Sequence, residues 1–301
     1  MNLIPDISII TVNFNGITDT CDLCATIFKE LHTITFELIV VDNGSRNDEA
    51  EQIKKIFPEV VTVRSNNNLG FSAGNNLGIK IAKGKYILLL NNDTYITEDT
   101  FNFLINTLEN NNKLAAVSPK IKFAFPPQNI QFAGYTKLGS ITLRNRTIGL
   151  GEVDSGQYNQ FKEIPFAHGA AMMINRKIID EIGFMPEIYF LYYEEIDWCT
   201  TMTETGYKIG YDPRCTVFHK ESQSTGQNSP LKAFYLTRNR LLFTWRHRTN
   251  YIKWIAICYQ LFFAIPVHAV ILCTKGKTDL AISSLKGAIA FFHLKNKKSR
   301  S

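Results

Sequence analysis

One apolar run that stops at three polar side chains constrains this chain more than any other feature. The run covers Tyr86–Leu90, and Asn91, Asn92 and Asp93 follow it at once. An unbroken run of large apolar residues is typical of a strand buried on both faces. Polar side chains at the carboxyl end of such a strand project into the crevice where open α/β sheets bind ligands. A carboxylate there can hold a divalent cation against a diphosphate; the simpler alternative is a turn with an Asx cap.

Strand-like and helix-like segments alternate along the first 118 residues. Strand patterns cover 7–12, 36–41, 60–64, 86–90 and 114–118, and helical spacing covers 18–32, 47–56, 72–82 and 98–110. This alternation favours an α/β fold with a mostly parallel sheet flanked by helices and right-handed crossovers. The segment 120–165 is rich in loops, and we predict no strand positions in it. Further helices are predicted over 176–182, 193–205, 229–248 and 279–294.

Three of the predicted strands end in residues that can bind a ligand. Asn13 follows the first strand, Asp42 the second and Asp93 the fourth. The carboxyl ends of parallel strands lie at one edge of a sheet, so we expect these side chains to converge. The carboxylate of Asp42 can accept the N3–H of a uracil or thymine ring. Helix capping is the alternative for Asp42 taken alone.

Positive charge is concentrated at the end of the chain. The net charge of the 301 residues is +6, and from Thr237 to Ser301 there are 12 Lys or Arg against one Asp or Glu. These residues flank or interrupt apolar runs, of which Trp254–Thr274 is the longest. That mixture suits an anionic membrane surface better than a nucleic acid.

Basic residues on both sides of Trp254–Thr274 give no clear orientation for a membrane span. We therefore expect a monotopic tail, with a single span or a helix packed on the body as alternatives. The first residues lack the pattern of a secretory signal, so a cytoplasmic body is expected. Six cysteines in so long a chain do not indicate a disulfide scaffold, and Cys21 and Cys24 are expected to be buried on a helix.

Seven short motifs occur in a characteristic order. They are SIITVNFN (8–15), VDNGS (41–45), NLGFSAGNNLG (68–78), LLNND (89–93), HGAAM (168–172), YYEEIDW (192–198) and RNR (238–240). Together they resemble glycosyltransferase family 2, the inverting enzymes of the GT-A fold, over most of residues 6–245. The branch that the chain resembles most is the rhamnosyltransferase type, which builds bacterial surface polysaccharides.

The resemblance implies a nucleotide-sugar site along the first four strands. It assigns base recognition to Asp42 and contacts with the donor to the loop 68–76. The residues expected to bind the nucleotide sugar are Thr11, Asn13, Asp42, Asn68, Gly70, Asn75, Asn91 and Asn92.

The resemblance also implies a bound Mg²⁺ or Mn²⁺. Asp93 matches the last Asp of the family's Asp-x-Asp motif, which is a metal ligand, whereas Asn91 replaces the first Asp. With one carboxylate fewer, the affinity for the metal should be weaker. His219 matches a position that can supply a further ligand, and a histidine on a surface strand is the alternative.

The acidic run 192–198 lies where the family places its catalytic base. Inversion needs one carboxylate that takes the proton of the acceptor hydroxyl. Glu195 is the base candidate, Glu194 and Asp197 are alternates, and an acidic face of a solvated helix is the simpler interpretation. Contacts with the acceptor or a phosphate are expected from His168, Gly169, Trp198, Arg238 and Arg240, although a solvated basic helix would also explain the two arginines.

We therefore expect a catalytic GT-A domain over residues 1–245 and a helical membrane-associating region over 246–301. Within the catalytic domain, residues 1–118 would bind the donor, a dTDP- or UDP-sugar, and residues 119–245 the acceptor, a glycan or lipid-linked glycan. The expected reaction is transfer of a sugar, with rhamnose among the candidates, at the cytoplasmic face of the inner membrane. The alternatives are a sugar-1-phosphate nucleotidyltransferase and a non-catalytic sugar-binding or scaffold protein.

Overall fold

The computed structural model of the chain describes residues 4–220 and 229–294. The strands are β1 (Ile7–Asn13), β2 (Phe36–Asn43), β3 (Val61–Ser65), β4 (Tyr86–Leu90), β5 (Thr94–Tyr95), β6 (Leu114–Phe123), β7 (Ile130–Phe132), β8 (Lys162–Ile164), β9 (Ala171–Asn175) and β10 (Lys208–His219). The helices are α1 (Ile17–Glu30), α2 (Glu49–Ile56), α3 (Gly70–Ile81), α4 (Phe101–Glu109), α5 (Arg176–Ile182), α6 (Glu194–Glu204), α7 (Pro230–His247), α8 (Asn250–Tyr259), α9 (Ile265–Thr274) and α10 (Thr278–Leu294). A π-helical turn, Gln260–Ala264, joins α8 to α9.

The ten strands form one mixed sheet with the order β3-β2-β1-β4-β9-β6-β10-β5, to which β7 and β8 add at β6 and β10. The first four strands in this order are parallel, as predicted. β9 then runs antiparallel to both of its neighbours, β4 and β6. The predicted α/β sheet flanked by helices is confirmed, but the insertion of β9 was not predicted because its short apolar run follows a loop-rich segment.

The core lies on both faces of the central strands. Every residue of β4 is buried, and Ile7, Ile9 and Ile10 of β1 have no exposed surface. α3 packs close to this layer because a Cβ at Gly78 would lie 2.4 Å from Cγ2 of Ile10. Burial of both faces therefore gives β4 the rigid position from which Asp93 is presented.

The boundary predicted at residue 118 falls inside a strand. β6 continues to Phe123, and β9, from the second half of the chain, lies between β4 and β6. The two predicted halves therefore share one sheet. In α1, Cys24 is buried as expected, and burial raises the pKa of its thiol to about 12, whereas Cys21 is only partly buried.

The last helices form a second, smaller core. Leu241 and Phe243 of α7 pack with Ile257 of α8 and Phe291 of α10. α10 approaches α7 closely because a Cβ at Gly287 would lie 2.4 Å from the carbonyl oxygen of Phe234. This packing holds α8 and α10 against α7.

One helix in the described part of the chain, Asn250–Thr274, is long and apolar enough to cross a membrane. Only 22% of its most apolar window is buried. Its exposed face carries large apolar side chains, among them Phe262, which is 79% exposed, and Phe263 and Val270. α10 adds Ile282, Ile289 and Phe292 to the exposed apolar surface.

Candidate active site

The candidate active site begins at the carboxyl end of β4. The chain leaves the strand with the backbone N–H of Asn91 donating to the carbonyl of Ala170 at 2.9 Å. Asp93 is 8% exposed, and its own carbonyl accepts from the backbone N–H of Lys220 at 2.9 Å. The antiparallel pair of β5 and β10 sets Thr94 opposite His219. Asp93 and His219, which lie 126 positions apart in the sequence, thus meet because β10 returns along β5.

The imidazole of His219 bridges two polar groups. Its Nε2 lies 3.1 Å from Oδ1 of Asp93, and its Nδ1 lies 2.9 Å from Oε1 of Gln131. The amide oxygen of Gln131 can only accept, so Nδ1 carries the proton that it donates. In the neutral ring, the lone pair of Nε2 then faces the carboxylate oxygen of Asp93.

A divalent cation fits this arrangement. Two acceptors that face each other repel unless a proton or a cation lies between them, and a metal-binding histidine usually donates its other N–H to an oxygen, here that of Gln131. Asn91 lies beside the pair, with its Nδ2 3.5 Å from Nε2 of His219. In residues 4–220 and 229–294 no group of three or more His, Cys, Asp or Glu side chains could hold a metal. Asp93 and His219 would therefore need the oxygens of a bound phosphate to complete the coordination of Mg²⁺ or Mn²⁺.

His168 extends the site from His219 towards α6. Its ring packs edge-on to His219 with centroids 6.3 Å apart and stacks on Tyr135 at 5.9 Å. Its Nδ1 accepts from the backbone N–H of Ala170 at 3.1 Å. Burial lowers the pKa of His168 to about 3, with a further contribution from His219, so His168 is neutral at pH 7.

Gly169 lies beside the carboxyl group of Glu195. A Cβ at position 169 would be in van der Waals contact with Cδ of Glu195, at 3.8 Å. Burial raises the pKa of Glu195 to about 7, although its side chain is partly exposed. A carboxyl group with such a pKa can be deprotonated at neutral pH and still accept a proton readily.

The two alternates for the base lie in different surroundings. Glu194 is buried, its Oε2 has no hydrogen-bond partner, and burial followed by the charge of Glu195 raises its pKa well above the usual value. Asp197 accepts from Tyr189 at 2.6 Å and pairs with Arg246 at 2.7 Å and with Nε2 of His247 at 2.8 Å. These partners hold the pKa of Asp197 below its usual value against the effect of burial. Burial thus disfavours the charged form of Glu194, and Asp197 is occupied in joining α6 to α7.

Asp42 lies at the carboxyl end of β2, on the same edge of the sheet, and is fully buried. Its Oδ1 accepts from the backbone N–H of Ser45 at 3.1 Å, so it also stabilises the turn after β2. Its Oδ2 lies 3.6 Å from Nε of Arg64 and has no hydrogen-bond partner. The hydroxyl of Thr11 is likewise buried without a partner. These two unpartnered oxygens leave an acceptor at each position for a ligand donor.

The loop before α3 is tied to the segment before α6. The φ angle of Gly70 is +84°, and a Cβ there would lie 2.2 Å from the carbonyl oxygen of Phe190, so only glycine fits. That carbonyl accepts from the backbone N–H of Phe71 at 2.7 Å. Asn68 accepts from the N–H of Gly70 at 2.9 Å, and Asn75 donates to the carbonyl of Phe71 at 2.9 Å. Asn68 therefore stabilises the turn into α3, and Asn75 stabilises the first turn of that helix.

Two of the residues predicted to bind the nucleotide sugar use their side-chain amides in hydrogen bonds within the protein. Asn13 donates to Glu49 at 2.7 Å and accepts from Thr20 at 2.8 Å. Asn92 donates to the same Thr20 hydroxyl at 3.1 Å. Both side chains therefore contact α1 and join it to the sheet.

Two of the predicted acceptor residues are also engaged elsewhere, which corrects the sequence prediction. Trp198 is 1% exposed, and its indole N–H donates to the carbonyl of Gly183 at 3.0 Å, so its ring cannot contact an acceptor. Arg238 is buried with its guanidinium 4.5 Å above the ring of Tyr235 and donates to the carbonyl of Tyr189. Arg240 is partly exposed, and its Nε donates to the hydroxyl of Tyr193 at 3.1 Å.

The sequence predictions missed three residues of the site. Gln131 lies in the segment 120–165, where no motif marks it, and only the pairing of β6 with β7 brings it to His219. Glu49 is buried and accepts from Asn13 and from the N–H of Gly16. Asn239 was passed over although it stands between the two arginines of the RNR motif, which was the one available signal.

Two solved structures share the fold. The GalNAc-T7 structure with UDP, GalNAc and Mn²⁺ has a TM-score of 0.60 at 14% identity, covering 81% of this chain and 51% of that chain. The mannosyltransferase PcManGT from Pyrobaculum calidifontis, in complex with GDP-Man and Mn²⁺, has a TM-score of 0.59 at 13% identity, covering 97% and 88%. This chain thus spans about half the length of the GalNAc-T7 chain. The fold of this chain is therefore that of the GT-A proteins, with acidic and histidine side chains at the carboxyl edge of its sheet.

The sequence comparisons add the family. The profile of "Glycosyl transferase family 2" matches residues 8–183, more than half of the chain, so the chain belongs to this family. The low-salt glycan biosynthesis hexosyltransferase Agl10 of Haloferax volcanii is 28% identical over 247 residues, covering 80% of this chain and 76% of that protein. The poly-beta-1,6-N-acetyl-D-glucosamine synthase of Staphylococcus aureus is 26% identical over 183 residues, covering 59% and 41%. The predicted family and enzyme class are confirmed.

Proposed function

We propose that this chain transfers a sugar, with inversion, from a nucleoside-diphosphate sugar to a glycan or lipid-linked glycan. The observation that carries the proposal is the facing pair of acceptors, Oδ1 of Asp93 and Nε2 of His219, at the carboxyl edge of the sheet. His168 and Gly169 connect this pair to Glu195. The proposed site for a metal and phosphate would thus lie near the proposed base, with His168 and Gly169 between them.

Asp93 and His219 would hold Mg²⁺ or Mn²⁺ against the donor diphosphate. When bound, the ion would offset the negative charge that develops on the leaving diphosphate. Both solved neighbours contain Mn²⁺, which supports a divalent ion. Asn91 lies close enough to donate to a phosphate or ribose oxygen of the donor.

The buried oxygens of Thr11 and Asp42 would receive the base of the donor. The unpartnered Oδ2 of Asp42 suits the N3–H of uracil or thymine, so we propose a UDP- or dTDP-sugar. The curated relatives are named for hexosyl transfer and N-acetylglucosamine polymer synthesis, which supports a hexose or hexosamine. Rhamnose is the deoxyhexose that the motif resemblance adds to these candidates.

Glu195 would take the proton from the attacking hydroxyl of the acceptor. Of the three candidate carboxylates, it alone combines partial exposure with a pKa of about 7. Attack from the face opposite the diphosphate needs only this one group and inverts the anomeric centre. General bases of this kind contribute about 10²- to 10⁴-fold to the rate.

We also propose that the tail attaches the enzyme to the cytoplasmic face of the inner membrane without crossing it. Exposed apolar side chains on α8–α9 and α10 would enter the lipid, while Lys253, Lys275 and Lys277 would lie among anionic headgroups. Such a position would hold the site next to a lipid-linked acceptor.

The test is a panel of UDP-, GDP- and dTDP-sugars incubated with the purified protein, a lipid-linked glycan extract and Mn²⁺ or Mg²⁺. We expect release of nucleoside diphosphate from one donor, loss of that release with EDTA, and a product of inverted anomeric configuration by NMR. The Asp93→Asn variant is the matched control, because it keeps the size of the side chain and removes its charge. Release from no donor with either metal would contradict the proposed function, and retained configuration would contradict the single-base mechanism.

A further inference from the structure

The segment that leads into α6 has a backbone conformation that it would not adopt alone. Phe190, Tyr192 and Tyr193 all have positive φ angles, of 65°, 68° and 79°. Residues other than glycine rarely adopt such backbone angles, and bulky aromatic residues do so least readily. Strain of this kind persists only where surrounding groups hold the backbone in place, and it occurs often beside active sites.

One side chain supplies most of the groups that hold this segment. Asn239 of α7 is fully buried, and its Nδ2 donates to the carbonyls of Tyr189 at 3.2 Å, Leu191 at 2.7 Å and Tyr192 at 2.7 Å. Its Oδ1 accepts from Nε of Arg238 at 2.8 Å. Arg238 in turn donates to the carbonyl of Tyr189. The two amide N–H groups are thus shared among three carbonyls, and neither is left to donate to a ligand.

The remaining carbonyl of the segment, that of Phe190, is bound by a residue of α3. The oxygen of Phe190 accepts from the backbone N–H of Phe71 in the first turn of α3. All four consecutive carbonyls, from residue 189 to residue 192, thus have partners outside the segment. Buried backbone carbonyls without partners would cost free energy, so this set of bonds decides which conformation the segment takes.

We infer that Asn239 is a positioning residue that places Glu195 through the backbone of 189–193. The segment ends at Tyr193, and α6 begins at the next residue, so a rotation of this backbone would turn the first helical turn and move Glu195 away from Gly169. The inference rests on the proposed role of Glu195 as the base. It gives the RNR motif a structural meaning that differs from phosphate binding.

The charged and titratable side chains near Glu195 are Glu194 beside it, Cys199 one turn further along α6, His168 next to Gly169, and Arg238 beyond Glu194. Substituting Asn239 with an uncharged residue removes none of these groups. Nε of Arg238 loses its acceptor on Asn239, but the guanidinium keeps the carbonyl of Tyr189 and the ring of Tyr235. A change in the pH dependence of turnover would therefore report a movement of Glu195 and not a new neighbouring charge.

The experiment compares Asn239→Leu and Asn239→Ser with the wild type and with Asn112→Leu, a matched change at an exposed asparagine. Leucine removes all donors, whereas serine keeps one. We expect kcat to fall 10- to 100-fold in Asn239→Leu, with the KM for the donor within about twofold, and an intermediate fall in Asn239→Ser. The acidic limb of the kcat profile should shift to lower pH, because a displaced Glu195 is better solvated and loses the burial that raises its pKa. Asn112→Leu should match the wild type.

Two results would overturn the inference. One is a kcat profile whose acidic limb is unchanged in the variants, together with a loss of kcat no larger than the fraction of protein that thermal denaturation shows to be unfolded. The other is normal turnover in both variants; should Asn239→Leu fail to fold, the limb of Asn239→Ser decides. A separate Glu195→Gln measurement keeps the two proposals apart. If Glu195→Gln is active, the base assignment fails and the inference fails with it, whereas an inactive Glu195→Gln with a normal limb in the Asn239 variants removes only the inference.

Discussion

Nε2 of His219 lies 3.1 Å from Oδ1 of Asp93, and the other ring nitrogen of the same histidine is committed to Gln131. Neither residue alone marks a site, since one follows a strand as many turn residues do and the other stands on an ordinary β-strand. Their meeting sets Nε2 of His219 and a carboxylate oxygen of Asp93 3.1 Å apart, and a divalent cation could bind both atoms when Nε2 carries no proton.

The first prediction concerns Gln131, which fixes the tautomer of His219. Substituting Gln131 with Leu removes the acceptor for Nδ1–H, so the ring can rotate or change tautomer. We expect the affinity for Mn²⁺ to fall about 10- to 100-fold, the usual effect of removing such a partner. The concentration of Mn²⁺ that gives half-maximal nucleotide release measures this change. Gln160→Leu, at an exposed glutamine, is the control, and equal metal dependence in both variants would contradict the assignment of His219.

The second prediction concerns the base. Glu195→Gln should lower turnover by about 10²-fold or more and leave donor affinity nearly unchanged, because the amide cannot accept the proton. In the wild type, Glu195 must be deprotonated to act, so turnover should fall as the pH drops below about 7. Glu194→Gln should be far less harmful, because burial disfavours the charged form of Glu194 that would accept a proton. The reverse ranking of the two variants would move the base by one residue.

The third prediction concerns Gly70. Gly70→Ala introduces both an unfavourable φ of +84° and a Cβ only 2.2 Å from the carbonyl oxygen of Phe190. Gly183→Ala is a matched control, since its φ is +89° and nothing lies within 4 Å of the added Cβ. The control should lose about 1 kcal/mol of stability from backbone strain alone. Gly70→Ala should also separate α3 from the segment before α6 and so raise the KM for the donor, as steady-state kinetics would show. Identical kinetics in the two variants would mean that this contact has no role in the site.

The fourth prediction concerns the tail. Phe262→Glu and Val270→Glu place charges on the exposed face of α8–α9, and we expect weaker flotation with vesicles that contain anionic lipids. Phe125→Glu, a substitution at an exposed phenylalanine of the body, should float as the wild type does. Wild-type protein should resist washing of membranes with high salt, because apolar side chains enter the lipid. Complete release by salt alone would show that only the charges of the tail bind the membrane.

Local patterns in the sequence were sufficient for the parallel part of the sheet and for the edge where the site lies. The apolar run Tyr86–Leu90 has to be buried on both faces, and the polar residues after it have to lie at the end of the strand, whatever the remainder of the chain does. Helical periodicity likewise predicted α6, which is observed at Glu194–Glu204 against an expected 193–205. Such features depend on neighbours in the sequence, so they can be recognised without the fold.

Long-range pairing determined which of the candidate residues face one another. The return of β10 to β5 brings His219 to Asp93, and the pairing of β7 with β6 brings Gln131 to His219. His168 precedes β9, which enters the sheet between β4 and β6, and its ring packs on His219. The same packing engages Asn13, Asn92 and Trp198 in hydrogen bonds within the protein and places Asn239 against the segment before α6. The physical reason is that the direction of a side chain depends on the register and burial of its strand or helix, which arise from contacts between residues far apart in the chain. A motif could therefore name the residues of this site but not the atoms that they contact.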